Sequence, residues 1–493
     1  MKKILSIYLL SALLLFSGCS KFLEEDPKHL ITIENYYATE ADAISAVNSL
    51  YAYLNSISTG STAGVYHSTF WVTTGLASDE MENRQVAAPY FDLISNFTVN
   101  SSNPALEEIW TMHYKVITLA NICTNRIPKI QMNEALRNRL VGEAKFLRAL
   151  IYFNLVRMFG NVPLLLNEDE DLYPTNTPVA EIYNAIENDL TDAIAALPLN
   201  YPPGNGRGRA TRGAAYALRA KMYLTNQQWQ KAADDCWEVI QSNEYDLWED
   251  FAEVFKHRNR GGKEAVFSVG FGDANGAIIF WEVGQFNVRL LPPELSVEGV
   301  QNAQGWQVPT MYLYNAYENG DRRKEVTFIT EINNNGIIET IRPYVQKYWD
   351  REMEPKGNES SNDFPVIRYA DVLLMYAEAN NELDRSSIAH EYINKIRKRA
   401  RFNGTTYLPV VPDYSGLSKE QMREAILKER FLELAFEGHR YFDLVRTNQL
   451  IQKVPLAKPG VTPTAKHYLM PIPLRELDTN PNLKQNDLHT SGN

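Results

Sequence analysis

The chain has 493 residues, with 49 basic and 60 acidic side chains and a net charge of −11 at pH 7. This acidic balance excludes nucleic acid as the expected partner, because phosphate binding needs a basic surface. At roughly 100–200 residues per domain, the length allows two to four units or one large fold with insertions.

The amino terminus predicts a secreted lipoprotein. Two lysines precede an apolar run over residues 4–16, which leads into Ser17-Gly18-Cys19. The run is too short to span a bilayer but suits a signal peptide ending at small residues. We predict a signal peptide over 1–18, acylation of Cys19 and a lipidated tether over 19–38. The alternative is an ordinary signal peptide that ends near a cysteine.

Residues 39–244 are predicted to form a helical-repeat region, because apolar residues recur there at helical spacing. Thr39-x-x-Asp42 is a capping box at the start of the first helix. Cys123 and Cys236 fall in such helices among apolar residues, which favours two buried free thiols over a disulfide or a metal site. The predicted helices cover residues 40–55, 104–127, 134–159, 178–197, 211–225 and 228–242.

An internal repeat supports a tetratricopeptide-like scaffold. Ala144-x-x-Leu147-Arg148-Ala149-x-x-Tyr152 recurs 71 residues later as Ala215-x-x-Leu218-Arg219-Ala220-x-x-Tyr223. This offset is close to two tetratricopeptide units of about 34 residues. The small residues allow close helix approach, and the larger ones fill the gap between helices.

Residues 245–365 differ from the rest and predict an insertion that carries the ligand surface. The segment is rich in Gly, Pro and Asn, and its apolar period shifts toward two. Short strands are predicted over 266–271 and 277–283, and a hairpin over 325–349 turns at an Asn-Gly pair. A loop-rich insertion on a rigid scaffold is a common place for binding residues.

Residues 366–493 are predicted to form a C-terminal helical region that packs back on the scaffold. Helices are expected over 366–383, 386–401 and 418–450, with the last one kinked or broken at Gly438. The predicted fold class is therefore mainly α, a tetratricopeptide-like helical-repeat scaffold with a loop-rich insertion that contains short strands.

Four stretches, in order along the chain, together resemble the SusD/RagB family of outer-membrane nutrient-binding lipoproteins. They are CSKFLEEDP from Cys19, EAKFLRALIYFNLVRMFGNVPL from Glu143, IRYADVLLMYAEA from Ile367 and KERFLELAFEGHRYFDLVR from Lys428. A weaker fifth match is MPIPLREL, from Met470. The stretches are distributed along the mature chain, from its first residue almost to its last.

The resemblance implies a SusD-like fold and a protein that is not an enzyme. Such proteins lie on the outer leaflet of an outer membrane, facing the cell exterior, and cover a SusC-type TonB-dependent transporter. They capture oligosaccharides, or peptides in some branches, and deliver them to that transporter. The acidic residues 24–26 are similar to the family's surface-export tag, although they are displaced from Cys19 by three residues. No cofactor is implied.

The family's ligand residues lie outside these stretches, so candidates come from residue type alone. Sugar binding uses flat aromatic faces together with amide, carboxylate or guanidinium groups. The helical residues Trp110, Trp229 and Trp237 are expected to pack within the scaffold. The candidate glycan-binding residues in loop-like sequence are Trp71, Asp79, Asn83, Trp281, Phe286, Arg289 and Trp306.

Three further readings stay open. A glycosidase needs two carboxylates across a cleft, but the chain has no HExxH or GxSxG motif, and His439 lies in a structural stretch. A protein-interaction module could bind peptide in its repeat grooves. The acidic run over 168–171 could hold structural calcium, although it lacks EF-hand spacing and more simply forms a solvated patch.

Overall fold

The computed structural model describes residues 36–55, 64–168, 172–202, 206–272, 284–356 and 360–490. Cys19, the first residues of the tether and the strand predicted over 277–283 lie outside this part of the chain. Helices dominate the described residues, which confirms the predicted fold class. None of these helices is both long and apolar enough to cross a bilayer.

Nine helices occupy the first part of the described chain. They are α1 (Glu40–Asn55), α2 (Thr69–Leu76), α3 (Tyr90–Ser95), α4 (Pro104–Arg126), α5 (Glu134–Phe159), α6 (Val179–Ala196), α7 (Arg212–Thr225), α8 (Trp229–Gln241) and α9 (Phe286–Leu290). Eight follow: α10 (Met311–Ala316), α11 (Arg322–Thr327), α12 (Tyr369–Glu382), α13 (Ser386–Ala400), α14 (Lys419–Glu433), α15 (Arg440–Arg446), α16 (Leu450–Ala457) and α17 (Leu474–Thr479).

The scaffold is a row of helices in which each packs on the next. In chain order, α4 contacts α5, α5 contacts α6, α6 contacts α7 and α7 contacts α8. Helix α8 then packs on α12, which also contacts α13 and α14. The cap residues fix where these helices begin: the side chain of Asn103 accepts from the Ala105 N–H at 3.0 Å, and that of Asn133 accepts from the Leu136 N–H at 3.0 Å. The C-terminal helices therefore continue the row that the repeats begin.

The sequence repeat corresponds to a repeated contact. Arg148 of α5 binds both carboxylate oxygens of Asp189 on α6, each at 2.7 Å. Arg219 of α7 binds Asp235 of α8 in the same way, at 2.7 and 2.9 Å. Each repeat therefore uses its arginine to join two neighbouring helices with a bidentate pair, a geometry that guanidinium and carboxylate groups favour.

Three two-stranded antiparallel sheets lie in and beside the insertion. β1 (Met81–Asn83) pairs with β3 (Gln307–Pro309), and β2 (Ala265–Val269) pairs with β6 (Phe364–Arg368). β4 (Phe328–Asn334) and β5 (Ile337–Val345) form the predicted hairpin, whose turn has Asn335 at φ 52° and Gly336 at φ 93°. The β2–β6 pair joins the two ends of the insertion.

Several predicted boundaries need correction. The helix predicted over 366–383 begins only at Tyr369, because the preceding apolar residues pair as β6. The break predicted at Gly438 is confirmed: the helix predicted over 418–450 is divided into α14 and α15, and α16 begins where the prediction ends. Between α14 and α15 the backbone reverses through Phe436 at φ 64° and Gly438 at φ 76°, conformations that end a helix.

A buried ion network ties the insertion to the C-terminal helices. Arg368 binds Glu264 at 2.6 Å and Glu437 at 2.7 Å, and Arg323 binds Glu429 at 2.6 Å. Each side chain in these pairs is at most 3% exposed. The network comprises Glu264, Arg323, Lys347, Arg368, Arg399, Glu429, Glu433 and Glu437.

Two other polar predictions concern buried helix residues. His439, which lies in a structural stretch of the sequence, is buried, and its Nδ1 lies 3.0 Å from Nζ of Lys221 on α7. Cys123 and Cys236 are both buried and free, as predicted. Burial raises the pKa of the Cys123 thiol to about 12, so this thiol stays protonated at neutral pH.

Candidate functional site

The β1–β3 pair carries a group of polar side chains beside one aromatic ring, which we call the ribbon cluster: Asn83, Gln85, Arg289, Trp306 and Gln307. Asn83 lies directly opposite Gln307, and the Arg84 N–H donates to the Trp306 carbonyl at 2.6 Å. Nε2 of Gln307 donates to Oδ1 of Asn83 at 3.1 Å. Trp306, Asn83 and Gln85 are partly exposed, whereas Gln307 is fully buried and holds Asn83 from below.

Arg289 of α9 connects the members of the ribbon cluster. Its Nη1 donates to Oε1 of Gln85 at 3.2 Å and to Oε1 of Gln307 at 3.3 Å. Its guanidinium carbon lies 5.3 Å from the centre of the Trp306 ring. The side chain is 8% exposed, and burial lowers its pKa to about 10, so it stays charged at neutral pH.

Residues before β1 fix the ribbon to the C-terminal helices. The carboxylate of Asp79 binds Arg440 at 2.7 and 2.8 Å, and Oε2 of Glu80 accepts from the Phe436 N–H at 3.2 Å. The hydroxyl of Thr310, just after β3, donates to the Asp79 carbonyl at 2.7 Å. Asp79 is 0% exposed, so it positions the ribbon rather than facing a ligand.

Two of the proposed stacking residues lie in the core, contrary to the sequence-based expectation. Trp71 is 1% exposed, and its Nε1 donates to the His67 carbonyl at 3.3 Å. Phe286 is also 1% exposed and stacks on Tyr348 with ring centres 4.3 Å apart. The reason is that all eight residues of α2 are buried, so Trp71 has no solvent-facing side. Trp281 lies outside the described residues.

The structure thus brings together Asn83, Arg289 and Trp306 from the seven candidates. Sequence reasoning missed Gln85 and Gln307, whose amides complete the cluster. Each lies within two residues of a candidate in the sequence. An amide residue close to a candidate was therefore the signal that could have identified them. Ligand contact by Asn83, Arg289, Trp306 and Trp281 stays a prediction.

A cavity lies on the other side of β1, between α10, α14 and α16. It has a volume of about 1100 Å³ and includes Glu82, Tyr312, Phe431 and the exposed Leu456 in its wall. Its charged groups mostly pair with described neighbours, since Glu424 binds Lys453 at 3.2 Å and Arg440 binds Asp79. We call it the helical groove.

The described residues contain no group of three or more His, Cys, Asp or Glu side chains that could hold a metal ion. In the acidic run, Glu168 forms an ion pair with Nε of Arg126 at 2.6 Å. Residues 169–171 lie outside the described part of the chain. Calcium binding by this run therefore stays a prediction.

Comparison with known proteins gives a consistent family. A sequence model of the SusD family matches residues 299–489, and a model described as starch-binding and associating with the outer membrane matches residues 21–224. SusD-like protein P25 of Formosa agariphila is 30% identical over 97% of this chain and 98% of its own. SusD-like protein P2 of the same organism is 30% identical over 96% of this chain and 97% of its own.

The fold is similar to that of solved structures. A laminarin-binding SusD-like protein superposes with a TM-score of 0.76 at 27% identity, covering 92% of this chain and 100% of that one. The sequence and structural matches extend over nearly the whole chain. This chain belongs to the SusD family.

Proposed function

We propose that this protein is a non-catalytic surface lipoprotein that captures oligosaccharides and hands them to a SusC-type TonB-dependent transporter in the outer membrane. The observation that carries the proposal is the ribbon cluster. There the partly exposed indole ring of Trp306 lies beside the guanidinium group of Arg289, and the amides of Asn83 and Gln85 in the same cluster are also partly exposed. This is the combination that binds the apolar face and the hydroxyls of a sugar.

Capture requires groups that are already in place. The amides of Asn83 and Gln307 are held by each other, and Nδ2 of Asn83 donates to Asp92 at 2.8 Å. A sugar stacked on Trp306 therefore meets an amide at Asn83 that is already fixed, which lowers the entropic cost of binding. A few such contacts give modest affinity and fast release, which suits transfer to a transporter.

The membrane part of the proposal rests on the chain's amino terminus and its relatives. Acylation of Cys19 would hold the acidic body at the membrane, and the matching family model is described as associating with the outer membrane. One matching family model is described as starch-binding and one similar structure as laminarin-binding, which supports binding without catalysis. The outward orientation and the transporter partner are inferred from the family resemblance.

The proposal is tested by titrating the mature chain, made with Cys19→Ser, against laminarin, starch and other polysaccharides by calorimetry. Trp306→Ala should weaken glycan binding about ten-fold or more, as expected for removal of a central aromatic anchor. The matched control is Trp237→Ala. Trp237 is 42% exposed on α8, contrary to the packing expected of it, and stacks on Tyr376, on an element that carries no cluster residue. This variant should bind like the wild type.

Reducing ends released in the same samples are measured in parallel. Saturable binding without release supports the proposal, whereas cleavage of a bound glycan would replace it with a hydrolase. Equal loss of affinity in both tryptophan variants would show that the ribbon cluster is not the site.

The second candidate function is peptide capture, which the helical groove favours. Its wall includes exposed apolar side chains such as Met311 and Leu456, at 47% and 61% exposure. Apolar grooves between helices accept peptide side chains. A mixture of casein peptides in the same titration tests this, and binding of peptides but of no glycan would favour the second function.

A further inference from the structure

We propose that the ribbon cluster selects glycans that carry an anionic group, either a uronic acid carboxylate or a sulfate ester, and that Arg289 binds this group. The inference rests on the proposed function and narrows its ligand class. It comes from the partners of Arg289.

Arg289 is a buried cation without a carboxylate partner. Its Nε donates to Oε1 of Gln285 at 2.9 Å, and its Nη1 donates to two further glutamine oxygens. The remaining nitrogen, Nη2, donates to none of the described residues. Within the described chain, no Asp or Glu lies within ion-pair distance of this guanidinium group. Neutral amides orient the group, and its charge is offset only in part, by Glu108, which lies beyond ion-pair distance.

The nearest carboxylates on the packed elements are already engaged. Asp92 of α3 accepts from Asn83, and Oε1 of Glu108 on α4 accepts from the Thr69 hydroxyl at 2.7 Å. Burial raises the pKa of Glu108, which weakens its role as a counter-charge. A buried charge without a close counter-ion is costly, so an incoming anion would gain from pairing with it.

The geometry also suits an anion on a sugar. The guanidinium group lies between the rings of Trp306 and Phe91, with its carbon 5.3 and 5.8 Å from their centres. Such packing holds the planar fork in one orientation, and arginine forks bind oxyanions through paired hydrogen bonds. A sugar stacked on Trp306 would thus place its charged substituent beside Nη2.

Two other arginines add positive potential around the ribbon. The side chain of Arg84, one residue after β1, is exposed and forms no ion pair with a described residue. Arg342 of β5 lies 3.9 Å from Glu82, and its buried Nε has no hydrogen-bond partner among the described residues. This positive potential contrasts with the net charge of −11 for the whole chain.

The test compares three probes of similar length by calorimetry at low and high salt: neutral laminarin oligosaccharides, oligogalacturonate and ι-carrageenan oligosaccharides. We expect one acidic probe to bind the wild type at least about ten-fold more tightly than the neutral one, with weaker binding at high salt. The galacturonate and carrageenan arms distinguish a carboxylate from a sulfate ester. Tighter binding of laminarin than of either acidic probe would overturn the inference and leave the proposed function standing.

Variants identify the residue responsible. Arg289→Gln should reduce the ratio of acidic to neutral affinity about ten- to a hundred-fold, and Arg289→Lys should reduce it less, because charge remains without the fork. The matched control, Arg423→Gln, removes the same charge at an exposed position of α14, which carries no cluster residue, and should leave the ratio unchanged. If Arg289→Gln does not fold, the wild-type probe comparison decides. An unchanged ratio in folded Arg289→Gln overturns the role of Arg289, and binding of none of the glycans overturns the proposed function itself.

Discussion

Glu80 is a buried acid at the start of the ribbon, held against the turn between α14 and α15. It is 1% exposed, its Oε2 accepts from the Phe436 N–H, and its Oε1 has no hydrogen-bond partner among the described residues. Burial raises the pKa of Glu80 to about 8. Below about pH 8 the folded protein therefore keeps this proton, whereas the unfolded chain releases it at lower pH. The free energy of unfolding accordingly falls as the pH rises toward 8.

We predict that Glu80→Gln stabilises the protein at alkaline pH. The variant keeps an oxygen for the Phe436 N–H and never carries the buried charge. Its stability relative to the wild type should rise between pH 5 and pH 9, by on the order of 3 kcal/mol. Urea unfolding at several pH values measures this. The control is Glu82→Gln at the neighbouring, partly exposed position. A difference in unfolding free energy between Glu80→Gln and the wild type that does not change with pH would contradict the prediction.

The start of α14 is fixed by a reciprocal cap. The Ser418 hydroxyl accepts from the Gln421 N–H at 3.3 Å, and the Gln421 side chain accepts from the Ser418 N–H at 2.9 Å. Ser418→Ala should destabilise the protein by about 1 kcal/mol, because a helix N–H loses its partner. Ser418→Asp keeps an acceptor and should cost less. Equal unfolding free energies for the two variants would show that the cap does not contribute.

Elements with strong local signals could be predicted from the sequence, and those that depend on distant packing could not. The bounds of α1 and α5 agree with the prediction, because caps and a positive-φ glycine mark their ends. The break after α14 was predicted at Gly438, but the helix ends earlier, at Glu433, because Phe436 also adopts a left-handed conformation that its residue type does not indicate. The apolar residues of β6 fit a helix or a strand, and only pairing with β2 decides between them.

The candidate site was predicted in part for the same reason. Trp306 and Asn83 stand in loop-like sequence, and their residue types alone singled them out. Trp71 has an equally suitable residue type, but its helix is covered on every side, which follows from tertiary packing. Likewise, nothing local shows that Gln307 lies opposite Asn83, since the two are far apart in the chain.

At the scale of the whole molecule, Glu433 is the central acid of the buried ion network. It accepts from Arg368 at 3.1 Å, from Arg323 at 3.3 Å and from Arg399. Burial alone would raise its pKa, but the three arginines together lower it to about 2. This carboxylate therefore stabilises the fold above its unfolded pKa of about 4.5, and the contribution is lost as the pH falls toward 2.

We predict that Glu433→Gln destabilises the protein by about 3–5 kcal/mol at neutral pH, because it leaves buried arginines without their counter-charge. The difference from the wild type should shrink between pH 5 and pH 2. Glu424→Gln is the matched control on the same helix, where an exposed carboxylate pairs with Lys453, and it should cost less than about 1 kcal/mol. A small or pH-independent effect of Glu433→Gln would contradict the prediction.

The β2–β6 pair has a consequence for how such a protein can diversify. Because the insertion leaves and rejoins the helices through two adjacent strands, its interior can be exchanged for another sequence without moving the attachment points. A replacement would still need Arg323 and Lys347 to complete the ion network. The new sequence would replace the strand that follows Trp306, whereas the strand that carries Asn83 would stay the same. Chimaeras of family members should therefore change ligand preference while keeping the same helical scaffold.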